Sequence, residues 1–420
     1  MLSVSLIVHY QSLTKPITTY PLITMSGALE KVDAIFVPRS KKTPYDISPD
    51  RKPDPSSSIL PKGAQIRGAE SLPLPCDILF EKDVTVTLRD GVKIYVDIFR
   101  PPHPKAGIVP AIISAGPYGK EGRRFFHDFT DHAPWRFAIP QKMVSGLEKF
   151  EGLDPAYWCF HGYAIVHPGK QQTLLVSGSH ADDRLQIHEV LAFPRVICRW
   201  LASKRGETIT TSLSGLLSSH GTTSGKNAVK TFDFPPYTDD VLNSVSMAGN
   251  SWLTQTQWFT GAERPPHLTC LAPSEGWNDF YNDTANRGGI PDTGFWDWLI
   301  SQGTHGRGMV EDVKMMSTKY NYANSYWVSH KAKLDNIEIP LLVTASYTSK
   351  LHTGGTFRGW LETKSREKWL RVHASNEWPG KPIIPCLQLL KPANICHRLV
   401  QAREHRRVES ILRLLPQRRE

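Results

Sequence analysis

Long apolar runs and closely paired cysteines are both missing from this sequence of 420 residues. No apolar stretch approaches the ~20 residues that a membrane-spanning helix requires, so no membrane association is predicted. The six cysteines are scattered without close pairs, which excludes a zinc knuckle and a dense disulfide framework. Reduced thiols and a cytoplasmic location are therefore expected. The apolar start has no basic lead, so no signal peptide is predicted.

The net positive charge is small outside the last part of the chain. The formal net charge is +10, from 50 Lys and Arg against 40 Asp and Glu. Residues 381–420 hold nine basic and three acidic side chains, which leaves 41 basic and 37 acidic side chains for the rest. A nucleic-acid-binding domain carries its basic patch on folded elements, so no nucleic-acid partner is predicted. The alternative, binding through the basic tail, predicts an affinity that falls steeply with salt.

A regular pattern begins after residue 70. Residues 1–70 are rich in Pro, Ser and Lys without a sustained period, which predicts a flexible arm in which Met25 is an alternative start. Segment 82–102 alternates on both sides of Asp90-Gly91, which predicts a β-hairpin. Short apolar runs predict further strands at 109–116, 162–168, 244–249, 268–273, 339–346 and 368–373. Such strands, separated by longer mixed segments, are typical of a mostly parallel sheet covered by helices.

One serine lies where a predicted strand becomes a predicted helix. The strand SVSMA leads into Gly249, Asn250 and Ser251, and a helical segment follows. A glycine two positions before a serine permits a tight turn, and the helix N-terminus presents backbone N–H groups to a developing oxyanion. Leu253 and Thr254 stand where many such turns carry a glycine or another small residue. Taken alone, the pattern also fits a serine that caps a helix.

Longer motifs place this serine in a family context. In chain order they read DVTVTLRDGVKIYVDIFRP, PAIISAGPYGK, GYAIVHP, VSMAGNSWL, AERPPHLTCLAPSEGWNDFYND, RGGIP, IPLLVTASYTSKLHTGGTFRGW and KWLRVHASNEWP. In order and spacing they resemble the cocaine-esterase and X-Pro dipeptidyl-peptidase hydrolases, the CocE/NonD family, in its fungal branch. The resemblance covers about residues 70–168 and 244–379. It implies an α/β-hydrolase core over 71–379, with a helical cap over 274–335.

The resemblance also implies roles for individual residues. Ser251 matches the nucleophile, and the backbone N–H of Trp252 matches one oxyanion donor. Tyr118, in GPYGK, matches the family tyrosine whose hydroxyl is the second donor. The base follows the strand KWLRVH, where His373 is the first candidate, and His352 is the second.

Three segments depart from the family pattern. The turn that carries the family acid reads SYTS over 346–349, without a carboxylate, so no residue is assigned as the acid. Residues 169–243 lack the family's Arg-Gly loop and acidic helix and are predicted to be an atypical insert. Residues 380–420 are predicted to be a basic, irregular tail in place of the family's C-terminal jelly-roll domain. A shifted reading frame or a misdrawn exon produces changes this abrupt, and both segments are predicted to be poorly packed.

The predicted function is hydrolysis of an ester or amide through an acyl-enzyme on Ser251. The substrate is expected to be a small ester or a short X-Pro peptide, with no metal or organic cofactor. The alternative is an inactive or unstable remnant of such a hydrolase, with an incomplete triad.

Overall fold

A computed structural model describes residues 6–9, 32–38, 53–87, 93–102, 109–116, 120, 141–169, 245–265, 268–303 and 309–374. The predictions for Tyr118, for the basic tail and for all but the first residue of the atypical insert lie outside these residues.

The described residues form twelve strands, ten in the main sheet and two in a separate pair. The strands are β1 (Leu6–His9), β2 (Phe36–Pro38), β3 (Ser56–Leu60), β4 (Ile78–Thr87), β5 (Lys93–Arg100), β6 (Ala111–Ile113), β7 (Ala164–Pro168), β8 (Val245–Asn250), β9 (Leu268–Ser274), β10 (Met309–Glu311), β11 (Leu341–Ser346) and β12 (Lys368–His373). The sheet order is β1-β12-β11-β9-β8-β6-β7-β5-β4-β3, and β2 pairs separately with β10. The six strands from β12 to β7 run parallel, as predicted, and the flanking strands pair antiparallel.

The parallel strands form the centre of the hydrophobic core. β6, β7 and β11 are buried at every position, as is typical of parallel strands that are covered on both faces. Full burial explains why their sequences are continuous apolar runs rather than alternating ones. Side chains with no exposed surface in this core include Ile113, Val166, Met247, Leu271 and Val343. Each contributes about 1.5–3 kcal/mol relative to remaining exposed.

Six α-helices lie in the described part of the chain. They are α1 (Pro155–Phe160), α2 (Trp252–Ala262), α3 (Gly294–Gly303), α4 (Val313–Lys319), α5 (Ser325–Ser329) and α6 (Thr353–Glu362). Single 3₁₀ turns occur at Gln141–Met143, Arg287–Gly289 and Leu334–Asn336, and a π-turn at Tyr281–Ala285. No helix among these residues is long and apolar enough to cross a membrane.

Side-chain caps start several of these helices. The Asp154 carboxylate accepts the Ala156 N–H at 3.0 Å, and proline occupies the first position of α1. Asp312 accepts the Met315 N–H at 2.9 Å at the start of α4. α3, α4 and α5 lie between β9 and β11, in the segment predicted to form the cap. They enclose a second core, which includes Trp277, Phe280, Trp296 and Trp327.

Parts of the predicted N-terminal arm form strands. β1 pairs antiparallel with β12, β2 with β10 and β3 with β4. An antiparallel pairing depends on which segment lies opposite in the fold, and a local sequence pattern does not show that. The prediction of a flexible arm is wrong for these three segments.

One cysteine departs from the expected reduced state. Cys76 and Cys159 are free thiols, and burial raises the pKa of the Cys159 thiol well above its usual value. Cys270 is disulfide-bonded, so the expectation of reduced thiols is wrong at this position. Sequence spacing cannot reveal such a bond, because it depends on two Cα atoms lying within about 7 Å in the fold.

Candidate active site

Ser251 occupies the sharp turn between β8 and α2. Its backbone has φ 53° and ψ −111°, a conformation that L-residues rarely adopt. α2 begins at Trp252, so the first backbone N–H groups of the helix lie beside the turn. The prediction that strand gives way to helix at this serine is confirmed. The geometry is the strand–turn–helix arrangement of a nucleophile elbow.

Two glycines accommodate Leu253, the residue that departs from the usual elbow pattern. A Cβ on Gly249 would lie 2.5 Å from the Leu253 Cβ, and a Cβ on Gly116 would overlap Leu253 Cδ1. Gly249 also has φ 149°, which disfavours other residues. The Leu253 side chain is therefore buried in the space that Gly249 and Gly116 leave open.

The backbone of the serine turn is bonded to the neighbouring strand. The Ser251 N–H lies 2.8 Å from the Glu275 carbonyl oxygen and 3.1 Å from that of Ser274. On the other side, the Asn250 N–H donates to the Glu151 carbonyl at 3.0 Å. These bonds hold the turn in its strained conformation from both sides.

His373 and Glu275 meet at the same edge of the sheet. His373 ends β12, and its Nε2 lies 2.7 Å from Oε1 of Glu275, which directly follows β9. Both side chains are buried, with 6% and 1% of their surface exposed. At this separation a carboxylate oxygen and an imidazole nitrogen are in direct contact.

His352, the second candidate base, lies in a different environment. It precedes α6 and is fully buried, and its ring stacks on Trp277 with centroids 5.2 Å apart. Its backbone N–H donates to Ser349 Oγ at 3.2 Å. In the same SYTS turn, the hydroxyls of Ser346 and Thr348 lie 3.1 Å apart. The turn after β11 therefore supplies hydroxyls where the family acid was expected.

Of the two predicted oxyanion donors, the structure describes Trp252 but not Tyr118. Trp252 has 3% of its surface exposed and packs against Trp277 and Trp296, with ring centroids 6.1 and 6.4 Å away. Those two tryptophans have at most 1% of their surface exposed, so they belong to the core of the cap region. Tyr118 lies outside the described residues, between Gly116 and Lys120.

Charged groups contact the described residues on either side of 117–119. Lys120 Nζ lies 2.5 Å from Asp97 Oδ1 and also contacts Asp83. Burial raises the pKa of Asp97, although the ammonium of Lys120 opposes the shift. Lys149 Nζ donates to the carbonyl of Ser114 at 3.1 Å, and burial lowers the pKa of this lysine to about 7. No group of three His, Cys, Asp or Glu side chains in the described ranges is arranged to hold a metal ion.

Glu275 and Lys149 are residues that the sequence analysis missed. Glu275 carried a usable signal, since it is a carboxylate directly after the strand that neighbours β8 in a parallel sheet. Its φ of 44° is a second unusual feature, but it appears only in the structure. Lys149 carried no such signal, because nothing in its local sequence indicates complete burial.

A mostly parallel sheet that ends one central strand in a strained serine turn defines the α/β-hydrolase class. Within that class, the chain belongs to the X-Pro dipeptidyl-peptidase (S15) family, whose model matches residues 90–376. The resemblance to the cocaine-esterase and X-Pro dipeptidyl-peptidase hydrolases is confirmed, and with it the α/β-hydrolase fold.

Solved structures agree with this assignment. One structure of a CocE/NonD family hydrolase from Staphylococcus aureus is 24% identical, with a TM-score of 0.56 over 85% of this chain and 55% of that chain. A second structure of such a hydrolase from the same organism is 28% identical, with a TM-score of 0.52 over 75% of this chain and 50% of that one. The chain thus spans about half the length of these hydrolases.

A curated protein matches only locally. An L-tyrosine:2-oxoglutarate aminotransferase from Aspergillus ustus is 54% identical over 48 residues, which are 11% of this chain and 9% of that protein. A match this short carries no functional argument for the whole chain.

Proposed function

We propose that this chain is a serine hydrolase that cleaves an ester or an amide through an acyl-enzyme on Ser251. The family match and the CocE/NonD structures support hydrolysis of ester or peptide bonds. The observation that carries the proposal is the backbone of Ser251, with φ 53° between a central parallel strand and a helix. Such a turn places the serine side chain beside the N–H groups of the helix start.

In the proposed reaction, Oγ of Ser251 attacks the substrate carbonyl carbon and its proton passes to the ring of His373. The N–H of Trp252 and the hydroxyl of Tyr118 donate hydrogen bonds to the oxyanion. When the tetrahedral intermediate collapses, the bond to the leaving alcohol or amine breaks, and the leaving group takes the proton from His373. Water then attacks the carbonyl carbon of the acyl-enzyme and gives a proton to His373. The bond between that carbon and Ser251 Oγ breaks, Oγ takes the proton from His373, and the carboxylic acid is released.

The proposed substrate is a small ester or a short X-Pro peptide. Both substrate types present one planar carbonyl to the serine turn, so the same donors serve either. The rival proposal, an inactive remnant, is favoured by the turn over 346–349, which lacks the acid expected from the family.

A fluorophosphonate probe tests the proposal, because only an activated serine reacts with it at a useful rate. We expect the full chain to be labelled at Ser251, mapped by mass spectrometry, and Ser251→Ala to be unlabelled. Ser365→Ala is the matched control, since this buried serine precedes β12 and so lies at the opposite edge of the parallel strands. Labelling that survives Ser251→Ala would refute the assignment, and an unlabelled wild type would favour the remnant.

A further inference from the structure

The geometry points to Glu275 as the acidic residue that positions His373, in place of a carboxylate after β11. This inference rests on the proposed function, because His373 is the base only if Ser251 is the nucleophile. Three observations support this role of Glu275: the strand register, its reach across β11, and its burial and backbone strain. The charge that the proposed reaction creates on His373 gives the physical reason for it.

The strand register brings the groups to one edge of the sheet. β8, β9, β11 and β12 are consecutive parallel neighbours, so their carboxyl ends coincide. Asn250 lies opposite Ser274, and Ser346 lies opposite His373. Ser251 and Glu275 therefore directly follow the aligned ends of β8 and β9.

Glu275 reaches His373 across the end of β11. Strands two places apart in a sheet are about 10 Å apart, which exceeds the reach of one side chain. The Glu275 N–H donates to the Thr344 carbonyl at 2.9 Å, so its backbone already leans toward β11. β11 ends in the small residues Ala345 and Ser346, and the carboxylate and imidazole meet at 2.7 Å.

Burial and backbone strain mark Glu275 as more than a structural carboxylate. Only 1% of its surface is exposed, and a buried carboxylate is strongly destabilising unless a charged or polar group compensates it. Its φ of 44° is unfavourable for glutamate, and strained residues of this kind cluster at active sites. Its carbonyl also accepts the Ser251 N–H at 2.8 Å, so one residue holds both the serine turn and the histidine ring.

The contact between Glu275 and His373 becomes strongest in the transition state of the proposed reaction. His373 is neutral before the reaction and becomes an imidazolium when it takes the Ser251 proton. The Glu275 carboxylate lies beside the position where that charge forms, so it stabilises the transition state more than the ground state. A lone pair on Nε2 would lie against the carboxylate, so the contact favours a proton on Nε2. The inference therefore assigns Nδ1 as the nitrogen that accepts the serine proton.

The first test compares turnover in four full-length proteins: wild type, Glu275→Gln, His373→Ala and the double variant. The readouts are the rate of fluorophosphonate labelling at Ser251 and the hydrolysis of p-nitrophenyl acetate. We expect Glu275→Gln to lower kcat on the order of 10²–10⁴-fold with KM nearly unchanged, as for a group that acts through the base. The double variant should be no slower than His373→Ala alone, because the two residues act as one unit.

Glu311→Gln is the matched control. Glu311 Oε2 lies 3.2 Å from Nε2 of His330 in a second buried pair, which is outside the proposed site. We expect this variant to keep the wild-type kcat, which separates a positioning role from the general cost of breaking a buried pair. Wild-type labelling rates in Glu275→Gln would overturn the inference alone, whereas an unlabelled wild type would overturn the proposed function and the inference with it.

A second measurement covers the case in which Glu275→Gln does not fold. ¹⁵N NMR of histidine-labelled wild type, with His373→Gln to assign the signal, reports which ring nitrogen carries the proton. An Nε2–H tautomer supports the inference, and an Nδ1–H tautomer overturns it.

Discussion

The hydroxyl of Thr254 joins the helix after the serine turn to the neighbouring strand at Ser274. Its Oγ1 accepts the Ser274 N–H at 2.8 Å and lies 2.6 Å from the Ser274 carbonyl oxygen. The Gly249 carbonyl oxygen is 2.9 Å away, so the same hydroxyl lies between β8 and β9. This buried hydroxyl therefore helps to fix the orientation of α2, and with it of the serine turn.

Thr254→Val should lower the free energy of unfolding by about 1–3 kcal/mol, because the isosteric side chain leaves the buried Ser274 N–H without its acceptor. Urea denaturation measures the change. Thr256→Val is the control, since Thr256 Oγ1 bonds the Trp252 carbonyl within the same helix at 3.1 Å and links no strand. Equal losses in both variants would contradict a special role for Thr254.

Gly249→Ala should cost more stability than a positive φ alone explains. The backbone term is about 1–2 kcal/mol, and overlap with Leu253 adds a further penalty of about 1–3 kcal/mol. Gly162→Ala isolates the backbone term, because Gly162 has φ 86° with no heavy atom within 4 Å of an added Cβ. The double variant with Leu253→Gly, which removes the Leu253 Cβ as well as the rest of the side chain, should recover part of the difference in urea denaturation. No recovery would mean that the overlap is not the cause.

Tyr118→Phe should lower kcat far more than it raises KM. Loss of one oxyanion donor costs about 10²–10³-fold in kcat, while the ground-state carbonyl is bound little differently. Steady-state hydrolysis of p-nitrophenyl acetate measures both constants. Comparable losses in kcat and in binding would instead indicate a structural tyrosine.

Lys149 should make stability depend on pH in the alkaline range. Burial lowers its folded-state pKa to about 7 from 10.5, so below about pH 7 both states are protonated and the full penalty of the buried charge is present. Between these values the unfolded chain binds more protons, so the free energy of unfolding rises with pH by at most about 1.4 kcal/mol per unit.

Lys149→Met removes this titration. We expect the difference in unfolding free energy between wild type and variant, measured in urea from about pH 6 to pH 10, to change across that window in favour of the wild type. A pH-independent difference would show that the lysine is protonated throughout in the folded state.

The sheet was largely predictable from the sequence because its central strands are buried on both faces. Runs such as LLVTAS and GYAIVHP can be recognised locally, since nearly all their side chains are apolar or small. The turn at Ser251 was predictable for a similar reason, because a glycine two residues earlier is a local requirement of its backbone.

The local sequence pattern does not show which side chains face one another when their strands are far apart in sequence. Glu275 and His373 are separated by 98 positions, and they meet only because the sheet places β9, β11 and β12 side by side with aligned ends. The edge strand β1 is another such case, since Leu6–His9 pairs with β12 from the other end of the described chain. The sequence by itself determined the buried strands and the serine turn, which are properties of neighbouring residues. Only the tertiary structure decided which carboxylate faces the histidine, because that depends on strand order.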